Sequence, residues 1–187
     1  MSASVSPVYT RMPVALCGMM GSGKSAIGRQ LAHLLKLPFI DLDARIEQQA
    51  GMSVSRIFET EGEPAFRQRE RNALQELLAS APSIIGLGGG SLQNEGLLKV
   101  LKKNAFLCFI DTPLNVISER VQRNTNRPLL LDKNGDLKPA NEINAVLHTL
   151  YEARQPLYSQ AHLRYVPKAG NSVLASAKAL LERLQEV

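Results

Sequence analysis

The sequence contains no tryptophan, four tyrosines and five phenylalanines among 187 residues, so a surface on which unpaired bases stack is poorly supplied. It has only two cysteines, Cys17 and Cys108, each set inside an apolar run (Val14–Cys17 and Phe106–Ile110). There a thiol behaves as a small core hydrophobe, and neither a disulfide framework nor a cysteine-rich metal site is expected. No stretch approaches the roughly 18 uninterrupted apolar residues of a membrane span, and the N-terminus lacks a charged segment followed by a long apolar one. A cytoplasmic location, away from membranes, is the expectation. Repeats of fixed period and low-complexity tracts are also missing, which excludes a solenoid.

What is present fits a globular chain. The hydrophobic share of 44% and charged share of 21% are ordinary, which argues against wholesale disorder. The net charge of +5 and pI of about 9.4 indicate attraction to anions, and phosphate-bearing metabolites satisfy that as well as nucleic acid does. Residues 1–11 mix Ser, Pro and Thr without periodicity and read as a flexible lead-in, with the fold starting near Met12. One domain, 12–187, is expected beyond it.

Short apolar runs at 12–17, 38–41, 83–87, 105–110 and 163–166 alternate with amphipathic stretches at 24–36, 43–50, 63–80, 93–103, 113–123, 141–160 and 171–185. That alternation predicts a doubly wound α/β fold, a three-layer arrangement with a central five-stranded parallel sheet flanked by helices. Residues 122–139, rich in turn formers and charge, interrupt two helical patterns and read as a mobile lid.

Gly18-Met19-Met20-Gly21-Ser22-Gly23-Lys24-Ser25 matches G-x-x-x-x-G-K-[ST] completely, between an apolar strand and an amphipathic helix. Glycines at these positions let the backbone curl so that successive N–H groups face phosphate oxygens, helped by the positive end of the helix. Lys24 is placed to reach the β- and γ-phosphates, and the Ser25 hydroxyl to ligate Mg²⁺. ATP and Mg²⁺ are therefore the expected pair, held by Gly21, Ser22, Gly23, Lys24, Ser25 and Ala26.

A phosphate cradle does not by itself select an acceptor. Phe39-Ile40-Asp41-Leu42-Asp43 sets two carboxylates at the end of the second strand, and in an extended segment both point the same way. One could hold a Mg²⁺-bound water and the other accept a proton from a hydroxyl; alternatively Asp43 caps the next helix. Arg67 stands at the start of a predicted helix, where the dipole disfavours a cation, so an anionic partner such as a ligand carboxylate is expected. Gly88-Gly89-Gly90 after the third strand offers bare backbone for close approach. His33, His148 and His162 are scattered, without zinc-ligand spacing, and are expected to be solvated or internally satisfied.

Together these segments resemble a shikimate kinase over nearly the whole chain. The resemblance is carried by the phosphate loop, by Phe39–Asp43 with Ile46-Glu47, by Ile57-Phe58 ahead of Glu63–Arg67, by Leu87–Gly90, by Arg127–Leu130 and by Arg154–Tyr158, in family order. It implies phosphorylation of shikimate at its 3-hydroxyl by ATP, in the route to chorismate and the aromatic amino acids. It further implies that Asp43 binds ring hydroxyls, that Arg67 and Arg154 bind the carboxylate, and that Gly89 contributes backbone. Asp43 would orient or deprotonate the acceptor, Arg127 would close over ATP from the lid, Arg120 would lie beside adenine, and Asp41 would hold Mg²⁺ through water. Two features depart from the family pattern: Ala26 follows Ser25 where many relatives have Thr, and the Arg127 to Arg154 interval is longer than usual. Other small-metabolite kinases, acting on gluconate or a nucleoside monophosphate, are the enzyme alternative. A nucleotide switch would need a guanine-reading N-K-x-D segment, which the sequence lacks. The chain is expected to act as a monomer on a small molecule, without nucleic acid or membrane.

Overall fold

The computed structural model describes residues 7–94, 96–123 and 128–187. Arg127 lies outside the described residues. Five strands, β1 (Val14–Cys17), β2 (Phe39–Asp41), β3 (Ile84–Gly86), β4 (Phe106–Ile110) and β5 (Leu163–Tyr165), pair in parallel in the order β2-β3-β1-β4-β5. The expected five-stranded sheet is thus present, each strand one or two residues shorter than expected, β3 at both ends and the others at one. β1, β3 and β4 are buried along their whole length, which is why they read as continuous apolar runs rather than alternating ones.

Successive residues of β1 and β4 feed opposite layers. Ala15, Cys17, Leu107 and Phe109 pack with Leu42, Ile57, Phe66, Leu74, Leu101, Ile117, Ile143 and Tyr158 on one face. Val14, Leu16, Phe106, Cys108 and Ile110 pack with Ile27, Leu31, Leu180 and Leu184 on the other. The first face is covered by α2 (Leu42–Ala50), α3 (Val54–Thr60), α4 (Gly62–Leu78), α5 (Leu97–Asn104), α6 (Leu114–Gln122) and α7 (Ala140–Tyr158); the second by α1 (Lys24–Leu35) and α8 (Val173–Gln185). Cys17 and Cys108 therefore sit in different layers as unpaired core thiols, and burial pushes both well above the ordinary thiol range.

Two departures from the sequence reading have local causes. Val8–Thr10, placed in the flexible lead-in, forms a 3-10 turn because Val8 finds the apolar surface made by Leu180, Leu184 and their neighbours and is 5% exposed. Helix α3 was not expected at all: it has seven residues, started by Ser53, whose hydroxyl accepts from the Arg56 amide at 3.2 Å. Only Ile57 of it is fully buried, too little for a periodic signal.

β1 leads to the phosphate loop, β2 to Asp41, β3 to Gly88–Gly90 and β4 to Asp111 and Thr112. The chain winds from β1 outward through β2 and β3, then restarts on the other side with β4 and β5. All these segments converge at the carboxyl edge where the winding reverses, the place where open α/β sheets bind ligands.

Candidate active site

A cavity of about 790 Å³ opens at that edge, lined among others by Gly23, Lys24, Asp41, Asp43, Gly89 and Arg120. Its floor is the loop between β1 and α1. Gly23 caps α1 at φ 93°, ψ 9°, a left-handed conformation that a side chain would strain. The Lys24 ammonium, only 9% exposed, donates to the carbonyls of Gly18 at 2.8 Å and Met19 at 2.9 Å, folding the lysine back across its own loop. Thr112 Oγ1 donates to the Ser22 carbonyl at 2.8 Å, and Arg120 Nη1 reaches the Gly21 and Ser22 carbonyls at 3.3 Å each. Arg120 thus lies against the phosphate loop. Asn115, Pro167, Lys168 and Val173 extend the same cavity beyond it, while Ala26 lines it beside Ser25.

Ser25 Oγ donates to Asp41 Oδ2 at 3.1 Å, which joins the phosphate loop to the end of β2. β2 stops at Asp41, whose other oxygen accepts from the Ala44 amide at 3.4 Å and caps α2. This corrects the extended reading of Asp41 and Asp43: Asp43 lies in the first turn of α2, and the capping role contemplated for it belongs to Asp41. Burial pushes the Asp43 carboxyl up to about 6, with the charges of Asp41, Glu70 and Glu47 adding to the rise and Lys24 opposing it.

Of the three glycines after β3, Gly88 is required by space, while a Cβ on Gly89 or Gly90 would come only into ordinary contact with its neighbours. A Cβ on Gly88 would meet Asp43 Oδ1 at 2.8 Å; one on Gly89 would meet Arg154 Nη1 at 3.4 Å and the Met20 amide nitrogen at 3.7 Å; one on Gly90 would meet Arg67 Nη2 at 3.5 Å. Each glycine touches one of the expected acceptor-binding side chains, and Gly89 touches the phosphate loop too. None of the three has positive φ, so turn geometry does not explain them, and close approach explains Gly88 alone.

Arg67 differs from expectation. It lies in the second turn of α4, past the reach of the N-terminal dipole, and already has anionic partners. Its guanidinium donates to Glu63 Oε1 at 3.0 and 3.2 Å and to Glu70 Oε2 at 3.0 Å. Glu70, 1% exposed, also accepts from Asn94 Nδ2 at 3.0 Å, and Arg71 donates to Asn94 Oδ1 at 2.8 Å. Arg154, on α7, donates through Nε to Gln93 Oε1 at 3.1 Å, and Tyr158 one turn later donates to the Gly89 carbonyl at 2.6 Å. The structure therefore gathers Lys24, Ser25, Asp41, Asp43, Arg67, Gly89, Arg120 and Arg154 around one edge.

Glu70, Gln93, Asn94, Thr112 and Tyr158 escaped the sequence reading as site residues. Spacing carried a usable signal for two of them, since Glu70 is three residues from Arg67 and Tyr158 four from Arg154, each pair on one helix face. The segment expected to form a lid, about 122–139, starts at the last residue of α6. Its described second half is a tight turn in which Asp132 Oδ1 accepts from the amides of Asn134 and Asp136, Leu131 bridges Leu137, and Leu130 is fully buried. His162 is internally satisfied, its Nδ1 accepting from the Leu107 amide at 2.9 Å.

A phosphate cradle at the switch point of a parallel sheet, faced by a carboxylate and two arginines, defines the class as a P-loop kinase for a small anionic hydroxyl compound. The comparisons with known proteins narrow it. A family model described as shikimate kinase matches residues 20–185. The chain is 39% identical to a shikimate kinase of Ruegeria pomeroyi, covering 86% of this chain and 78% of that protein, and 34% identical to one of Chlorobaculum parvum, covering 93% and 95%. Among solved structures, a shikimate kinase from Acinetobacter baumannii in complex with shikimate superposes with a TM-score of 0.82 at 32% identity, covering 95% of this chain and 96% of that one. A gluconokinase from Sinorhizobium meliloti, at 20% identity and a TM-score of 0.58, shares the fold alone. The chain belongs to the shikimate kinase family.

Proposed function

We propose that this chain transfers the γ-phosphoryl group of ATP to the 3-hydroxyl of shikimate, giving shikimate 3-phosphate and ADP. The observation that carries the reading is the Gly88–Gly90 turn, which touches Asp43, Arg154 and Arg67 in succession while standing against the phosphate loop. One three-residue segment thereby relates the hydroxyl end of an acceptor to its carboxylate end.

In this reading Gly21–Ala26 hold the nucleotide phosphates through backbone amides, and Lys24 exchanges its contacts with the loop for β- and γ-phosphate oxygens. Asp43 accepts a hydrogen bond, and then the proton, from the attacking hydroxyl. A pKa near 6 leaves it ionised at neutral pH yet more basic than an ordinary aspartate. The new bond joins the acceptor oxygen to the γ-phosphorus as the bond to the β,γ-bridging oxygen breaks, and ADP leaves with that electron pair. Arg120 lies on the nucleotide side, and Arg127, outside the described residues, is assigned to the lid through the family pattern alone. Arg67 and Arg154 bind the acceptor carboxylate, with Gly89 supplying backbone.

The Ser25–Asp41 pair fits Mg²⁺, being an all-oxygen set at the mouth of the loop with a hydroxyl and a carboxylate 3.1 Å apart. Ser25 would ligate the ion directly and Asp41 through water. When bound, the ion would offset charge on the phosphate oxygens.

The same reading takes 12–187 as one catalytic domain working as a cytoplasmic monomer. A single sheet carrying the whole site and a cavity of metabolite size support the one-domain part of that reading. Among the described residues, no helix is long and apolar enough to cross a membrane. A coupled assay of ADP release with shikimate, gluconate and nucleoside monophosphates as acceptors tests the proposal. Release that depends on shikimate alone is expected, and its absence would overturn the assignment.

A further inference from the structure

The amides of Gly88, Gly89 and Gly90 have no acceptor among the described residues, although the surrounding polar groups are densely bonded. Three consecutive residues without Cβ atoms leave these peptide planes with little steric reason to keep one orientation. The carbonyls on either side are held by local backbone bonds, Gly88 accepting from the Ser91 amide at 3.2 Å and Gly90 from the Gln93 amide at 3.0 Å, whereas the Gly89 carbonyl between them is held by a distant side chain. The Tyr158 hydroxyl, on a side chain 1% exposed, donates to the Gly89 carbonyl at 2.6 Å. Its ring is fixed by stacking on Phe109 at a centroid distance of 4.9 Å.

The same hydroxyl interacts with the Arg154 guanidinium, whose Nε is held by Gln93, and the Gln93 amide donates to the Gly90 carbonyl at 3.0 Å. Burial pushes the phenol up to about 12, so it remains a donor throughout the working pH range. The turn and Arg154 are therefore linked through the Tyr158 hydroxyl and through Gln93, whose backbone amide holds the Gly90 carbonyl and whose side chain holds Arg154.

A trans peptide is planar, with its N–H and C=O pointing in opposite directions. Drawing the Gly89 carbonyl toward the core by Tyr158 turns the Gly90 N–H outward. A reversal of that plane would aim a carbonyl oxygen, with its partial negative charge, at an incoming carboxylate. Resting on the shikimate-binding reading above, we propose that Tyr158 is a positioning residue for acceptor recognition. Its hydroxyl holds the Gly89–Gly90 peptide so that the Gly90 amide, alongside Arg154, meets the acceptor carboxylate. The backbone contribution assigned to Gly89 is thereby moved to the far side of its own carbonyl.

Tyr158→Phe keeps the ring and its stacking while removing only the hydroxyl. With wild-type enzyme turning over shikimate as the control for the functional reading itself, the variant should raise the KM for shikimate about tenfold. Its kcat should stay within about twofold, and the KM for ATP should not move. The decisive comparison uses an acceptor whose carboxylate is reduced to a primary alcohol. The preference of wild type for shikimate over this alcohol, as a ratio of kcat/KM, should fall about tenfold in Tyr158→Phe, because the alcohol makes no charged bond to the amide. Equal losses for both acceptors would show a merely structural role and overturn the proposal, as would an unchanged ratio. Should Tyr158→Phe not fold, Phe109→Leu removes the ring that seats Tyr158, and a fall in the acceptor ratio in the same direction is then required.

Discussion

Replacing Gly88 by alanine would put a methyl carbon 2.8 Å from Asp43 Oδ1 and 3.1 Å from both Oδ2 and Ser91 Oγ, the first about 0.6 Å inside ordinary van der Waals contact. The turn has ordinary φ, so the backbone accepts alanine without strain, and the clash must be relieved at its softest point. That point is the carboxylate, because Asp43 ends a short side chain while Gly88 follows a fully buried strand. The fold should lose only about 1 kcal/mol, at the mild end of overpacking. Catalysis should suffer more, since a misplacement of about 1 Å at a reacting group costs on the order of a hundredfold. A shift of roughly half that distance predicts a fall in kcat of about tenfold or somewhat more, near 1.4 kcal/mol or above in the barrier. Steady-state ADP release at saturating ATP and shikimate measures this, with thermal unfolding as the companion reading. Gly51→Ala is the control: at φ +67° with nothing within 4 Å, it should cost about 1 kcal/mol of stability and leave kcat alone. A Gly88→Ala enzyme with kcat within twofold of wild type would refute the placement of Asp43 against the reacting hydroxyl.

The raised Asp43 carboxyl gives a signed pH prediction. Titrating near 6 instead of its ordinary 3.8, it makes the folded chain bind more protons across that interval, so its contribution opposes folding increasingly as pH rises from about 4 to 6 and is constant above. Asp43→Asn should therefore raise stability at pH 8 by up to about 2 kcal/mol relative to its effect at pH 4, while lowering turnover at least a hundredfold with ATP binding retained. Chemical denaturation at the two pH values and isothermal titration with ATP check both halves. Arg154→Lys, which replaces a planar fork by a point charge, should raise the shikimate KM about tenfold or more with little change in the KM for ATP. Chelating divalent cations should abolish ADP release, and adding Mg²⁺ back should restore it; turnover persisting in excess chelator would remove the ion from the site.

The sheet was legible because parallel strands buried on both faces leave short, unbroken apolar runs, and Val14–Cys17 and Phe106–Ile110 are of that kind. The phosphate loop was legible because its backbone geometry demands particular residues at fixed spacing. Other features depended on differences too small for pattern. β2 ends at Asp41 as expected, but the helix begins at Leu42 and not at Asp43, and that single residue makes Asp41 the cap and puts Asp43 in the first turn. Arg67 was read as a cation seeking a ligand, yet the carboxylates that hold it lie four residues before and three after, within its own helix. Tyr158 stood in plain view beside Arg154, but its bond spans 69 positions to a glycine carbonyl, and no local rule reports such a partner.

The two layers of this molecule divide its labour. Lys24 and Ser25 open α1 on one face of the sheet, whereas Asp43, Arg67 and Arg154 are delivered by α2, α4 and α7 from the opposite face. The sheet works as a partition, with phosphate handling rooted on one side and acceptor choice on the other. A new acceptor could be accommodated by rebuilding three helices of a single layer, leaving the packing of α1 against α8 untouched.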